Sequence, residues 1–534
     1  MRWILIVLFS CNLFAVQQET RSKRFFDSYK KNRASTRDRI PTKWRVLRGQ
    51  TKPVSRAEVL SPFQWSDLES KEYVVQKNQF RSDFICPQCG FLKPPLKLKS
   101  EWGGNDKAEN LVDIPAESML VNIFEIQKQG LQQAKLAELP WSDDYWAIRA
   151  GTLGARYSDL DFMSDLNNWK SGLDYISNYL PTSNVIEKGN LDFLSPAEKY
   201  DLLIGDTKTY SLAVDDENYK IQGSLNYKMW EDGSHYWNQK GEVESWMGIC
   251  HGWAAAAYML DAPKKAVDVE GSLGHDIRFY PADIKALSSL LWANTRNPVK
   301  FLGGRCNSET PDMDENGRVI DPDCVDTNPG TWHKVVVNQI GLAKRSFILD
   351  ANFDYQVWNQ PVYSYSYTYF NPIDKTYYHQ LDSKNKLDSA VIKIDDFNDD
   401  PYKAYRSPKA KYIVGINMEL AYVSENQPNQ LMIDLPSEEN IVRVDYFYDL
   451  ELDGDFNIVG GEWYQNIHPD FLWTPHRDSK AMAYGDYYLD KIIENGSVSR
   501  HLNDDEFKRK MIQQSSLRGQ PLGKIVRELI RMAN

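Results

Sequence analysis

The chain lacks the features that define several protein classes. Beyond its first residues, no apolar run approaches the roughly 18 residues that a membrane-spanning helix needs. It has neither an internal repeat nor the glycine-rich loop of a nucleotide-binding site. The composition, 42% hydrophobic and 26% charged, is that of a globular protein and excludes collagen, a coiled coil and disorder along the whole chain.

Length and aromatic content indicate a large packed molecule. At 534 residues the chain exceeds the roughly 250 to 300 residues at which one hydrophobic core stops growing, so two or three packed units are expected. Its 16 Trp, 30 Tyr and 21 Phe are spread along the chain. Aromatic side chains at this density are typical of cores and, less often, of surfaces that bind sugars or peptides.

The N-terminus has the pattern of an export signal. Met1 and Arg2 precede an apolar run that starts at Trp3 and ends near Ala15. The pattern predicts a signal peptide over residues 1–16, so we expect the mature protein to be secreted or held in the cell envelope, without a transmembrane segment. Cys11 gives a poor lipoprotein cleavage site, and release is favoured over lipid anchoring.

Charge is distributed unevenly. From Thr20 to Ala57 there are thirteen Lys or Arg and two acids, a balance of +11, and the net charge of −11 leaves −22 for the remainder. Residues 17–105 are interpreted as a basic N-terminal arm and connector: a pro-segment over the active site, a contact with an anionic envelope, or a solvated flexible arm. The acidic body repels phosphate, so nucleic acid is not an expected partner.

Five cysteines remain after the signal, which is an odd number. Cys86 and Cys89 are near neighbours, and Cys306 and Cys324 bracket a polar loop of a size that a disulfide closes favourably. A half zinc site at the first pair is the alternative, although no second pair is spaced to complete it. Cys250 is left without a partner.

Hydrophobic periodicity predicts an α+β protein. Apolar residues at helical intervals predict one long amphipathic helix over residues 118–139, and alternation predicts strands over residues 412–418 and 441–447. We expect a catalytic core over residues 106–390 and a β-rich C-terminal region with a terminal helix over residues 391–534.

The segment around Cys250 has the pattern of a cysteine nucleophile. Four consecutive alanines at residues 254–257 predict a helix that starts at or just after Cys250. A thiol there faces the positive end of the helix dipole, which stabilises thiolate and lowers the pKa. Gly248 and Gly252 would allow the close approach of an acyl group. The alternative is a buried free cysteine that packs as a small apolar residue.

A base for this thiol is predicted at His333. It opens a β-rich run, residues 334–340, that is followed by Gly341 and a polar turn. The run predicts a hairpin with its turn centred between Gly341 and Leu342, which places His333 directly opposite Asp350. Directly opposed residues share a face within about 5.5 Å, so this carboxylate would orient the imidazole.

Cys250, His333 and Asp350 would then form a nucleophile, a base and an orienting residue. A shift of the loop by a few residues would replace Asp350 by Asn352 or Asp354. The alternative for His333 is a histidine satisfied at a strand end.

Several segments are similar, in the same order, to the transglutaminase elicitor family of oomycetes. They lie between Pro140 and Trp473 and comprise residues 140–143, 194–200, 247–253, 328–333, 357–362 and 460–463. The most specific is Val-Trp-Asn-Gln-Pro-Val at residues 357–362, which resembles the start of the peptide by which plants sense these proteins. From Tyr363 onward the sequence departs from the family's continuation.

The resemblance implies a secreted, calcium-dependent transglutaminase with an active site like that of papain. It implies Cys250 as nucleophile and His333 as base, acting on a protein glutamine with a lysine amine as acceptor, and proteins of the cell envelope or wall as partners. The Cys250 backbone N–H is the first donor for the oxyanion, and the Trp246 indole is a candidate second donor. The implied core is papain-like or transglutaminase-like, a nucleophile helix against an antiparallel sheet.

An acidic loop has the spacing of a calcium site. Asp312, Asp314, Asn316, the Arg318 carbonyl and Asp323 fall at positions one, three, five, seven and twelve of such a loop. Asp replaces the usual Glu at position twelve, and two cysteines flank the loop instead of helices, so a plain acidic surface loop is the alternative. Calcium is the expected cofactor, and no organic cofactor is expected.

We therefore expect an exported protein-glutamine γ-glutamyltransferase. A papain-like cysteine protease or a protein glutamine deamidase is the first alternative, because water can resolve the same thioester. A non-catalytic envelope-binding protein, with an aromatic surface and the basic arm, is the second.

Overall fold

The computed structural model describes residues 106–306, 308, 311–313, 319, 321, 324, 327–351, 356–374, 377–378, 386–464, 468–502 and 504–534. The predicted signal peptide and the basic arm lie outside this part of the chain. The helices are α1 (Ile123–Lys128), α2 (Leu160–Asp165), α3 (Trp169–Asp174), α4 (Thr182–Glu187), α5 (Pro196–Ile204), α6 (Ser224–Lys240), α7 (Cys250–Met259), α8 (Pro281–Asn294), α9 (Pro329–Val336), α10 (Lys386–Ala390), α11 (Glu506–Ser516) and α12 (Gly523–Ala533).

Strands are interspersed among these helices along the chain. They are β1 (Gln133–Lys135), β2 (Thr209–Val214), β3 (Glu217–Gln222), β4 (Val267–Glu270), β5 (Asp276–Phe279), β6 (Val299–Gly303), β7 (Ile348–Asp350), β8 (Asn359–Phe370), β9 (Tyr377–Tyr378), β10 (Ile392–Lys393), β11 (Tyr412–Val423), β12 (Ile441–Leu452), β13 (Ile458–Gly460), β14 (Phe471–Pro475), β15 (Ile493–Glu494) and β16 (Ser497–Val498). The protein is thus a mixture of helices and strands, as predicted.

One antiparallel sheet dominates the molecule. Among the described residues it has ten strands, in the order β13-β12-β11-β8-β7-β14-β6, with β1 and β9 paired to β8 and β10 paired to β11. Strands β8, β11 and β12 are each 12 residues long and pair along most of their length. Because β7 and β8 come before residue 390 and β11, β12 and β14 after it, the boundary expected there falls inside this sheet.

The long helix predicted over residues 118–139 is wrong. The structure has only α1, which begins where the Asn122 side chain accepts hydrogen bonds from the N–H groups of Phe124 and Glu125. After α1, Gly130 adopts a left-handed conformation with φ 71°, which ends the helical path. The next residues form β1, because they gain ladder hydrogen bonds with β8.

Two large apolar clusters position the functional region. The first surrounds α5, α7, α8 and α12, and the second fills the space between α9 and one face of the large sheet. Strand β8 links them, since its first residues lie beside α7 and its later tyrosines belong to the second cluster. No helix among the residues that the structure describes is long and apolar enough to cross a membrane.

Candidate functional site

Helix α7 begins at Cys250, as the run of alanines predicted. The residues before it pass close to another segment, because the Ile249 N–H donates to the Tyr145 carbonyl oxygen at 2.7 Å. A Cβ atom on Gly248 would lie 2.3 Å from the same oxygen, so only glycine fits there. This contact fixes how the chain enters α7.

The body of α7 is held against α8 at very short range. A Cβ atom on Gly252 would lie 2.2 Å from the Ser289 carbonyl oxygen of α8. The alanines at residues 254–257 are all buried in the first apolar cluster. Small side chains therefore let the two backbones approach closely, which fixes the position of Cys250 relative to the rest of the protein.

The Cys250 thiol lies against the start of β8. Cys250 is free of disulfides and 6% exposed. Its Sγ accepts a hydrogen bond from Asn359 Nδ2 at 3.5 Å, and the S–H donates to the Val357 carbonyl oxygen at 3.8 Å. The thiol thus has a donor on one side and an acceptor for its own proton on the other.

Asp350 lies in the same neighbourhood, at the end of β7. It pairs directly with Asn359 in the register of β7 and β8, and its Oδ1 accepts the Trp358 N–H at 2.8 Å. The negative charges of Glu425 and Asp350 both act to raise the pKa of Cys250. The structure therefore brings Cys250 and Asp350 together, with Asn359 as their common neighbour.

Burial decides the protonation state of this thiol. It raises the pKa of Cys250 to about 11, although the side-chain and backbone hydrogen bonds from Asn359 act to lower it. The direction of this shift is opposite to the lowering of the pKa predicted from the helix N-terminus, because burial penalises a charged sulfur. Cys250 carries its proton at neutral pH.

The hairpin predicted around His333 is wrong. His333 lies in α9, whose start is marked by the Asn328 side chain, which accepts the Gly330 N–H, and by Pro329 in the first turn. The expected turn at Gly341 is helical as well, because a π-helical segment follows α9. Asp350 pairs with β8 instead of with the His333 segment.

His333 is enclosed by aromatic side chains. It is fully buried, its Nδ1 lies 2.9 Å from the Tyr448 hydroxyl, and its ring centroid lies 4.8 Å from that of Tyr367. Burial lowers the pKa of His333 to about 3. His333 is therefore a neutral core histidine in this structure.

His333 and Cys250 lie at opposite ends of β8. Cys250 contacts Asn359, the first residue of the strand, whereas His333 contacts Tyr367, eight residues further along. At about 3.3 Å per residue, this separation corresponds to roughly 26 Å along the strand. Within the described chain, the Cys250 thiol is hydrogen-bonded to Asn359 and Val357 and to no histidine. The arrangement does not support His333 as the base for Cys250.

The remaining predicted positions have different outcomes. The Trp246 indole N–H donates to Glu244 Oε2 at 2.5 Å, so it is already engaged. The Cys306–Cys324 disulfide is confirmed. Cys86 and Cys89 lie outside the described residues, as do Asn352 and Asp354.

The predicted calcium loop is described only in part. Asp312 is within the structure, whereas Asp314, Asn316, Arg318 and Asp323 lie outside the described residues. Among the residues that can be searched, no group of three or more His, Cys, Asp or Glu forms a metal-ligand cluster. Calcium binding at this loop stays a prediction.

Sequence reasoning missed Asn359 and its neighbour Trp473. Asn359 is 4% exposed, and its Oδ1 accepts the Trp473 indole N–H at 2.7 Å. A signal was present, because Asn359 lies within residues 357–362, the most specific element of the family resemblance. The sequence could not show that this asparagine contacts the thiol, since the contact depends on the packing of α7 against β8.

Part of the chain is similar in sequence to a known protein family. Residues 231–487, which include Cys250, Asp350 and Asn359, match the sequence model of a family described as Transglutaminase elicitor. The resemblance read from the sequence is therefore confirmed. No curated protein matches the chain significantly.

Among solved structures, the chain is similar to the GP42 transglutaminase from Phytophthora sojae. The two are 18% identical, with a TM-score of 0.38, over 76% of this chain and 94% of that one.

Proposed function

We propose that this protein is an exported acyltransferase of the transglutaminase type, with Cys250 as its nucleophile. The observation that supports the proposal is the placement of a free thiol at the first residue of α7, in direct hydrogen-bond contact with Asn359. A helix N-terminus packed on an antiparallel sheet is also the arrangement expected of a papain-like core. The residues that match the family model include both Cys250 and Asn359.

In the proposed reaction, Cys250 Sγ attacks the side-chain amide carbon of a protein glutamine. The carbon–nitrogen bond breaks, ammonia leaves with the thiol proton, and a thioester forms. A lysine amine then attacks the thioester, the carbon–sulfur bond breaks, and the thiol is regenerated. As the first residue of a helix, Cys250 has a backbone N–H without an intrahelical acceptor, which is available to the oxyanion.

The charges around the thiol fit an amine as the second substrate. Asp350 and Glu425 are close enough to Cys250 to affect its pKa, and both are buried. Carboxylates in a poorly solvated site attract a cationic lysine side chain and act against anionic acceptors. His333 has no part in this scheme because it lies at the other end of β8.

The test is incorporation of a fluorescent primary amine into a glutamine-rich protein, with and without a calcium chelator. We expect incorporation by the unmodified protein and none by Cys250→Ala, with Cys306–Cys324 intact in both. A loss of incorporation with chelator would support the predicted calcium loop.

Other outcomes would favour the alternatives. Ammonia release without amine incorporation would identify a deamidase, and new amino termini in the substrate would identify a protease. Incorporation that persists in Cys250→Ala would overturn the proposal. Inactivity in every assay would favour the envelope-binding alternative.

A further inference from the structure

The orientation of the Asn359 side chain is determined by its neighbour. The Trp473 indole N–H can only donate a hydrogen bond, so the amide atom that meets it at 2.7 Å is the oxygen. The amide nitrogen must then face the Cys250 Sγ, 3.5 Å away. Trp473 therefore turns Asn359 into a hydrogen-bond donor toward the sulfur.

Asn359 and Trp473 both lie on strands of the large sheet. Asn359 is the first residue of β8 and pairs with Asp350 of β7. Trp473 lies in β14 and pairs with Ile348 of the same β7. The three strands are neighbours in one sheet, so the indole, the amide and the thiol are held in fixed relative positions.

The ionisable groups that face the thiol otherwise oppose its ionisation. They are Asp350 on β7, Glu425 after β11 and Tyr145 in the segment between β1 and α2, and the first two act to raise the pKa of Cys250. Both hydrogen bonds that act to lower the pKa come from Asn359, one from its side chain and one from its backbone. Asn359 is thus the group that favours a negative charge on the sulfur.

We propose that Asn359, oriented by Trp473, is a catalytic residue that stabilises the Cys250 thiolate. A hydrogen bond to an anion is shorter and stronger than one to a neutral acceptor, so the same contact tightens when the proton leaves. The role in turnover rests on the proposed acyl transfer, whereas the effect on the thiol does not.

The experiment measures how fast iodoacetamide alkylates Cys250 in the full-length protein between pH 7 and 9. The key variant is Asn359→Asp, which keeps the size of the side chain and the acceptor for Trp473 but replaces the donor that faces the sulfur. We expect alkylation roughly three- to tenfold slower than in the unmodified protein, since the loss of thiolate is partly offset by a more nucleophilic sulfur.

Two further variants distinguish the loss of the hydrogen bond to Cys250 from a general loss of packing. Trp473→Phe frees the amide to rotate, and we expect a smaller decrease in the alkylation rate. Trp463→Phe is the matched control, because its indole N–H donates to the Thr327 carbonyl at 2.9 Å, away from Cys250. It should alkylate at the unmodified rate, and all variants should react equally once denatured.

The outcomes distinguish the two proposals. Alkylation of Asn359→Asp at the unmodified rate would overturn the role of Asn359, even if amine incorporation by the unmodified protein is found. Slower alkylation of Asn359→Asp, together with no amine incorporation by the unmodified protein, would support the thiolate contact and reject the proposed function.

Discussion

A cysteine enzyme is expected to use a thiol and an imidazole, and in this protein the two groups contact different ends of β8. Their surroundings differ in a way that separates a site residue from a core residue. Cys250 at one end and His333 at the other are both buried, and burial raises the pKa of the thiol and lowers that of the imidazole. Both side chains are neutral as a result. Their partners differ, since Asn359 offers hydrogen-bond donors to an anionic sulfur whereas Tyr367 and Tyr448 enclose a neutral ring. Of these two sites, the one around Cys250 has hydrogen-bond donors that can stabilise a negative charge on the side chain.

The largest expected effect is on activity. Cys250→Ala should lower amine incorporation at least 1,000-fold, or about 4 kcal/mol, because it removes the thiol that is proposed to form the thioester. His333→Phe should stay within about threefold of the unmodified rate, since the ring lies far from the thiol. An equal loss in both variants would show that His333 is the base and that turnover uses a different arrangement from this one.

Stability should show the opposite order. His333→Ala should lower the free energy of unfolding by about 3 kcal/mol, because it leaves a cavity among aromatic rings and removes the partner of the Tyr448 hydroxyl. Cys250→Ala should cost about 1 kcal/mol, the typical effect of a small change. Urea unfolding of the two variants measures the difference, and equal losses would remove the distinction between a core residue and a site residue.

A third effect is a dependence of stability on pH, which between pH 7 and 5 amounts to at most about 2 kcal/mol. The pKa of His333 falls from 6.5 to about 3 on folding, so between these values the unfolded chain binds a proton that the folded chain does not. The contribution of His333 is complete above pH 6.5 and is lost as the pH falls toward 3, by at most about 1.4 kcal/mol per pH unit. Urea unfolding at pH 7, 6 and 5 should show a shallower decline for His333→Phe than for the unmodified protein. Parallel declines would contradict the buried, neutral histidine.

Local signals in the sequence predicted the Cys250 end well. The alanines after Cys250 specify a helix wherever they occur, and α7 begins where they indicate. The pairing of Cys306 with Cys324 depends on a short loop and is also as expected. Asp350 lies near the thiol, although the predicted hairpin does not exist, because β7 pairs with β8.

The wrong hairpin at His333 was predicted because the strand signal after His333 was given more weight than the helix signal before it. Valines at residues 335–337 favour a strand, but Asn328 and Pro329 before them are a helix start, and the helix start prevailed. Asn359 is a different case. Its contact with Cys250 depends on three strands and a helix that meet only in the folded chain, so the pattern at residues 357–362 marked the segment but could not show the contact.

The hydrogen bond from the Cys250 S–H to the Val357 carbonyl has a consequence for the lifetime of the protein. Peroxides and foreign disulfides react with thiolates, and a sulfur that keeps its proton and is 6% exposed is a poor target for both. In an exported protein, as proposed here, a free cysteine is otherwise open to oxidation and disulfide exchange. Burial and retention of the proton therefore slow these reactions at Cys250, and they become faster when the proton is removed.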